Sequence, residues 1–144
     1  MTVGKRRVPR RLRARVFQQA GGRCGYCQTD AQIVGPVLEV EHIIPEGASG
    51  QTVEENLWLA CSSCNRHKGT RTHAQDPVSG RRVRLFNPRR QVWSAHFYWS
   101  EDSAYAVGRT ACGRATVSAL NMNNREIVAA RLRWAQVGWH PPDT

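Results

Sequence analysis

The chain has 144 residues, of which 40% are hydrophobic, so its length fits one domain with a modest core. Its 21 lysines and arginines outnumber its 11 acidic residues, and the resulting net charge of +10 attracts polyanions, above all nucleic acid. No apolar signal core follows the N-terminal residues, and no stretch approaches the roughly 18 apolar residues of a membrane span. These features disfavour secreted and membrane proteins, and we expect a cytoplasmic protein of a bacterial or phage-like cell.

The charge is distributed unevenly along the chain. Residues 1–15 carry seven positive charges and no negative one, residues 16–60 have a net charge of −5, and residues 61–92 have a net charge of +7. Two basic segments thus flank an acidic one. This distribution favours contacts with phosphates beside a metal site, and the alternative is a solvated surface that binds no ligand.

Residues 1–23 predict a basic N-terminal helix. Pro9 suits the first turn, apolar residues then recur at helical spacing, and Gly21-Gly22 ends the pattern. The exposed face of this helix carries Arg11 and Arg15, which we expect to contact DNA phosphates; a frayed basic terminus is the alternative.

The next segment predicts a strand, a loop, a second strand and a short helix. Apolar and polar residues alternate over 37–43, and Pro45 with the glycines after it closes this strand. Residues 56–60 predict the second strand, and residues 61–68 contain no helix breaker before Gly69.

Two Cys-x-x-Cys pairs, 33 residues apart, lie in this segment. Each pair places two thiolates within reach of one tetrahedral ion, so the pattern predicts a structural Zn²⁺ that stabilises a small core. Disulfides, a redox pair and buried thiols are the alternatives, but two pairs of equal spacing favour zinc. The predicted ligands are Cys24, Cys27, Cys61 and Cys64, whereas Cys112 has no partner in the pattern.

Three motifs follow one another between and after the cysteine pairs: Glu-His-Ile-Ile-Pro at 41–45, Glu-Asn-Leu-Trp-Leu-Ala-Cys at 55–61 and Cys-Asn-Arg-His-Lys-Gly at 64–69. In this order they resemble the HNH endonucleases with four-cysteine zinc sites, over residues 24–69. The resemblance implies an α+β fold with a small zinc-stabilised ββα-metal core. It also implies hydrolysis of DNA phosphodiester bonds with one catalytic divalent metal, Mg²⁺ or Mn²⁺.

The resemblance further implies roles for single residues. His42 is the expected general base, because a neutral imidazole can take a proton from water near physiological pH. Glu41 and Asn65 are the expected ligands of the catalytic metal, and many relatives have aspartate where this chain has Glu41. Asn56 is expected to brace the loop that holds the base, and His67 to contact the metal or the phosphate.

Each of these side chains also has an ordinary structural interpretation. His42 can be a hydrogen-bonded strand residue, Glu41 an exposed acid, Asn65 a helix cap and Asn56 a turn residue. Adjacent residues of a regular strand point to opposite faces, so Glu41 and His42 converge only if the strand twists or ends there.

The remaining segments complete one predicted domain, 1–144. Residues 70–92 predict a basic connection across the surface, and residues 93–144 predict a hairpin followed by helices, the last of them capped by Asn124. The C-terminal segment looks like the tail of a subset of bacterial HNH proteins. Cations expected beside the cleft, with a solvated face as the alternative, are Arg66, Lys68 and Arg71.

The sequence therefore predicts a metal-dependent endonuclease acting on double-stranded or branched DNA. The alternative is a zinc-ribbon module that binds nucleic acid without cutting it, or a subunit of a larger DNA-processing machine. Basic residues that contact phosphates carry little information on sequence preference, and no heptad signal indicates an oligomeric state.

Overall fold

The structure of the protein, a computed structural model, describes residues 8–143. Residues 1–7, which belong to the predicted N-terminal basic segment, lie outside the described residues. The helices are α1 (Arg10–Gln19), α2 (Ala31–Val34), α3 (Ser62–Lys68), α4 (Trp93–His96), α5 (Ala111–Ala119) and α6 (Arg125–Gln136). The strands are β1 (Leu38–His42), β2 (Leu57–Cys61), β3 (His73–Gln75), β4 (Arg82–Arg84), β5 (Phe97–Trp99) and β6 (Ala106–Gly108).

Strands β1 and β2 pair antiparallel, with Leu38 opposite Cys61 and His42 opposite Leu57. Helix α3 starts directly after β2, and the Cys61 sulfur caps it by accepting from the Cys64 N–H. The predicted order of strand, loop, strand and short helix is confirmed, and with it the α+β fold. This arrangement brings α3 against the β1–β2 hairpin.

Helix α1 covers the hairpin from another side. Val16, which is fully buried, packs in a small cluster with Leu57, while the rest of the helix is mostly exposed. The predicted end at Gly21-Gly22 is confirmed, since both glycines have positive φ and the helix ends at Gln19. The helix thus presents a basic outer face, including Arg11, to solvent.

A larger core surrounds the cysteines. Phe86, Phe97, Leu120 and Met122 are almost fully buried against Cys24, Cys27 and Cys64. Each large side chain buried this way stabilises the fold by about 1.5–3 kcal/mol. The C-terminal half is therefore packed on the cysteine region.

Residues 70–92 differ from the predicted surface connection. They contain the β3–β4 hairpin, in which His73 lies opposite Arg84, and they send Leu85 and Phe86 into the core. Asp76 closes the turn: it is buried and accepts two hydrogen bonds from Arg114 (2.9 and 2.8 Å). Those bonds hold the pKa of Asp76 far below its ordinary value. Three-residue strands are too short for an alternating pattern to reveal them.

The predicted C-terminal elements are present with shifted bounds. Strands β5 and β6 form the expected hairpin, and Asn124 caps α6 by accepting from the Ile127 N–H (3.0 Å). Helix α5 starts at Ala111, earlier than the sequence indicates, because Thr110 caps it by accepting from the Gly113 N–H (3.1 Å). Within residues 8–143 no helix is long and apolar enough to cross a membrane.

Candidate active site and cysteine cluster

The four cysteines of the two pairs come together, as predicted. Their sulfur atoms all lie within 4.8 Å of one another, and the sulfurs of Cys27 and Cys61 are 3.6 Å apart. A tetrahedral zinc ion with Zn–S bonds of about 2.3 Å needs sulfurs about 3.8 Å apart, so the cluster fits that ion. Cys112 is not part of it.

Local hydrogen bonds fix the first cysteine pair against the second. The Gly25 N–H donates to the Leu59 carbonyl (2.8 Å), and a Cβ at Gly25 would lie 2.3 Å from the Trp58 ring. Burial raises the pKa of the Cys24 thiol, while hydrogen bonding to Cys24 raises the pKa of Cys64 and lowers that of Cys27. The cluster therefore shares its protons, and a bound metal ion would replace them.

A cleft of about 740 Å³ opens beside the cluster, between the end of β1, the loop after it and the second half of α3. Its floor and walls combine acidic, basic and neutral polar side chains with loop backbone. The lining residues that carry chemistry are Glu39, His42, Glu46, Asn65, Arg66 and Thr70.

His42, the predicted base, is the last residue of β1 and lines this cleft. Its Nε2 lies 2.9 Å from the Thr52 hydroxyl and 3.3 Å from a carboxylate oxygen of Glu46. Both contacts engage Nε2, and they orient the imidazole ring at the end of β1. The side chain is 8% exposed, so its position is well defined.

Asn56 holds the loop that follows His42. Its Oδ1 accepts from the Ile44 N–H (2.8 Å), and its Nδ2 donates to the carbonyls of Ile44 and Gln51, each at 2.9 Å. A Cβ at Gly50 would lie 1.6 Å from the Ile44 carbonyl oxygen, so only glycine allows this close approach. Asn56 therefore joins Ile44 and Gln51 of this loop through three hydrogen bonds.

Glu41 lies elsewhere than the predicted metal site. Its carboxylate is 2% exposed, accepts from Lys68 Nζ at 3.2 Å and accepts from the Tyr26 hydroxyl. Burial, and then the charge of Glu41, raises the pKa of Tyr26 well above its ordinary value. Glu41 is not among the residues that line the cleft, whereas Asn65 does line it.

Lys68 also departs from its predicted place at the edge of the cleft. It is 2% exposed, and besides Glu41 its ammonium group donates to the carbonyls of His42 (3.0 Å) and Ile43 (2.7 Å). The prediction treated the cations after Cys64 as one exposed group, whereas the packing of α3 on the end of β1 buries this one. Lys68 is therefore a structural cation.

Asn65 does line the cleft, and its acidic neighbour there is Glu39. The Asn65 Nδ2 donates to a carboxylate oxygen of Glu39 at 2.9 Å, and Glu39 is exposed. Sequence reasoning missed Glu39 because the resembling motif begins two residues later. The signal available was the strand alternation, which places Glu39 and Glu41 on the same side of β1.

The remaining predicted residues divide into two groups. Arg66 is exposed on the cleft wall, and Arg15 is exposed on α1, 3.4 Å from Glu54. Arg71 instead donates to the Ala119 carbonyl (2.8 Å) and to the last carbonyls of α3, so it joins α3 to α5. His67 does not line the cleft, and its Nδ1 lies 2.7 Å from the Ser63 carbonyl oxygen.

Sequence reasoning also missed the partners of His42, which are Thr52 and Glu46. Glu46 follows His42 by four residues, but a loop spacing of four gives no reliable signal of contact.

Comparisons with known proteins bear on the same stretch. The family model for HNH endonucleases matches residues 24–71. The Septu protein PtuB of Bacillus thuringiensis is 25% identical over 115 residues, which cover 78% of this chain and 41% of that protein. The chain thus spans less than half the length of this relative. No solved structure gives a significant match.

Proposed function

We propose that the protein is a metal-dependent endonuclease that hydrolyses DNA phosphodiester bonds, starting from the match of the HNH endonuclease family model to residues 24–71. The observation that carries the proposal is the position of His42, oriented by Glu46 and Thr52 and opening on a cleft shared with Asn65 and Arg66. This combination provides a base, a neutral oxygen ligand and a cation beside one another.

His42 activates the attacking water. Because Nε2 faces Thr52 and Glu46, Nδ1 is the ring nitrogen that would remove a proton from water as it attacks phosphorus. General-base catalysis of this kind contributes about 10²–10⁴-fold to the rate. Asn56 and Glu46 act as positioning residues, since they hold the loop and the ring rather than the substrate.

A divalent ion, Mg²⁺ or Mn²⁺, would supply charge stabilisation for the scissile phosphate when it is bound. Magnesium keeps several of its waters and takes only one or two carboxylate ligands from a protein, so an open cleft with few oxygen donors suits it. Asn65 would offer its amide oxygen from the cleft wall.

A structural Zn²⁺ held by Cys24, Cys27, Cys61 and Cys64 would stabilise the frame of this cleft. The zinc ligand Cys64 directly precedes Asn65, so the same turn of α3 that carries the thiolate also positions the amide. Zinc would thus position the residues of the cleft and would take no part in the chemistry at the phosphate.

Exposed arginines would hold the DNA backbone. Arg66 lies on the cleft wall, and Arg11 and Arg15 lie on the outer face of α1. Such contacts position the duplex without reading its sequence. Lys68 and Arg71 are assigned to the structure, because they donate to protein acceptors. His67 is assigned to no catalytic step, because it does not line the cleft.

Plasmid cleavage tests the proposal. Supercoiled DNA is incubated with the zinc-loaded full chain and Mg²⁺ or Mn²⁺, beside His42→Ala and the control His73→Ala, whose histidine lies outside the cleft. We expect at least about a hundredfold slower nicking by His42→Ala and the wild-type rate for His73→Ala.

Equal nicking by His42→Ala and the wild type would remove His42 as the base. Binding of plasmid and of branched DNA without cleavage by the wild-type protein would favour the alternative, a binding module or a subunit of a larger machine. Zinc content and melting temperature of each variant show that the comparison is made between folded proteins.

A further inference from the structure

We propose that Glu39, and not Glu41, is the acidic ligand that joins Asn65 in holding the divalent cation of the cleft. The inference rests on the proposed function, since it concerns the same metal. It departs from the assignment that the motif suggests, in which the acid directly before His42 takes that place.

The first observation is that Glu39 and Asn65 already lie side by side. Both line the cleft with His42, and the Asn65 Nδ2 donates to a Glu39 carboxylate oxygen at 2.9 Å. This bond engages the nitrogen end of the amide, so the oxygen end, which can bind a hard cation, is the end available for coordination. A carboxylate beside an amide oxygen is a ligand set that suits Mg²⁺ and Mn²⁺.

The second observation is that Glu41 is bound on the inside of the fold. Both of its oxygens accept hydrogen bonds, one from Lys68 and one from Tyr26. Transfer of this carboxylate to a cation in the cleft would leave the Lys68 ammonium buried without its counter-charge, which is strongly unfavourable. Glu39 is exposed and can turn to a cation without that penalty.

The way α3 packs on β1 explains why Glu39 and Glu41 have different partners. Glu39 and Glu41 are two residues apart on one side of the strand, about 6.7 Å along it. Asn65 and Lys68 are three residues apart on one side of the helix, about 4.5 Å along its axis. The two rows therefore meet as two pairs: Asn65 with Glu39 toward the cleft, and Lys68 with Glu41 in the interior.

Manganese binding tests the assignment independently of catalysis. The free Mn²⁺ signal in electron paramagnetic resonance is titrated with zinc-loaded wild-type protein and with Glu39→Gln, Glu41→Gln and Glu55→Gln. Glu55 is the matched control, since it is exposed and does not line the cleft. We expect Glu39→Gln to weaken Mn²⁺ binding by about tenfold or more at an unchanged melting temperature.

We expect Glu41→Gln to lower the melting temperature while the folded protein keeps its Mn²⁺ affinity within about twofold. Glu55→Gln should change neither quantity. Wild-type affinity in Glu39→Gln overturns the inference, whether or not Glu41→Gln folds, and so does an absence of Mn²⁺ binding by the wild-type protein. Lost affinity in a fully folded Glu41→Gln overturns it as well.

Cleavage assays separate this inference from the proposed function. If the wild type cuts plasmid through His42 but Glu39→Gln binds Mn²⁺ normally, the nuclease assignment stands and the ligand assignment fails. If Mn²⁺ binding depends on Glu39 but no DNA is cut, the ligand assignment stands and the nuclease assignment fails.

Discussion

The cysteine cluster and the cleft are neighbours on α3, yet they are built in opposite ways. The cluster is closed: three of its four cysteines are buried, and its sulfurs lie at the spacing that one ion requires. The cleft is open, and its polar side chains bond to one another, as Asn65 does to Glu39. A closed site suits an ion that stays, whereas an open site suits a cation that exchanges and shares its ligands with a substrate.

Loss of a zinc ligand should have the largest effect on stability, because it disrupts the closed cysteine cluster. We expect Cys64→Ser to bind no zinc and to lose stability on the order of several kcal/mol, comparable to the whole stability of a domain of this size. Zinc analysis and thermal unfolding measure both. Cys112→Ser, at the cysteine outside the cluster, is the control and should retain zinc; zinc retained in Cys64→Ser would contradict the four-thiolate site.

Breaking the buried ion pair between Lys68 and Glu41 should have the next largest effect. Replacing Lys68 with methionine leaves Glu41 buried without its cation, and we expect a loss of about 3–5 kcal/mol in the free energy of unfolding. Denaturant unfolding measures it, with Arg66→Met as the exposed control on the same helix.

The double variant Glu41→Gln/Lys68→Met sharpens this test. It removes both charges together, so it should regain part of the loss seen with Lys68→Met alone. A Lys68→Met protein as stable as the wild type would show that the pair is exposed in solution and would weaken the contrast between an interior and a cleft side of α3.

An exposed arginine of the cleft should have the smallest effect. We expect Arg66→Gln to weaken DNA binding modestly for all sequences and to lower the slope of log affinity against log salt by about 1. Fluorescence anisotropy at several salt concentrations measures the slope. Arg133→Gln, exposed on α6 away from the cleft, should leave it unchanged, and an equal drop for both variants would point to a diffuse basic surface.

The sequence predicts the closed site well and the open site only in part. Equal spacing in two Cys-x-x-Cys pairs has few explanations other than one shared ion, so the cluster follows from local pattern alone. His42 lines the cleft and Asn56 holds the loop after it, and both positions depend on contacts within one short segment.

The acidic side of the cleft could not be derived in the same way. Whether Glu39 or Glu41 faces the cleft depends on how α3 packs across β1. That packing is made by tertiary contacts, Asn65 with Glu39 at 26 positions and Lys68 with Glu41 at 27 positions along the chain. The burial of Lys68 has the same cause. The sequence did not predict the β3–β4 hairpin for another reason. Its turn is held by the hydrogen bonds that Arg114 donates to Asp76, and these two residues are 38 positions apart in the chain.

The direct succession of Cys64 and Asn65 would make the cation site of the cleft depend on zinc. The sulfur that would anchor zinc and the amide that would hold the divalent cation belong to consecutive residues of one helical turn. A chain that has not yet acquired zinc would therefore lack an aligned Asn65, and under the proposed function it would cut DNA only after its cysteines are loaded.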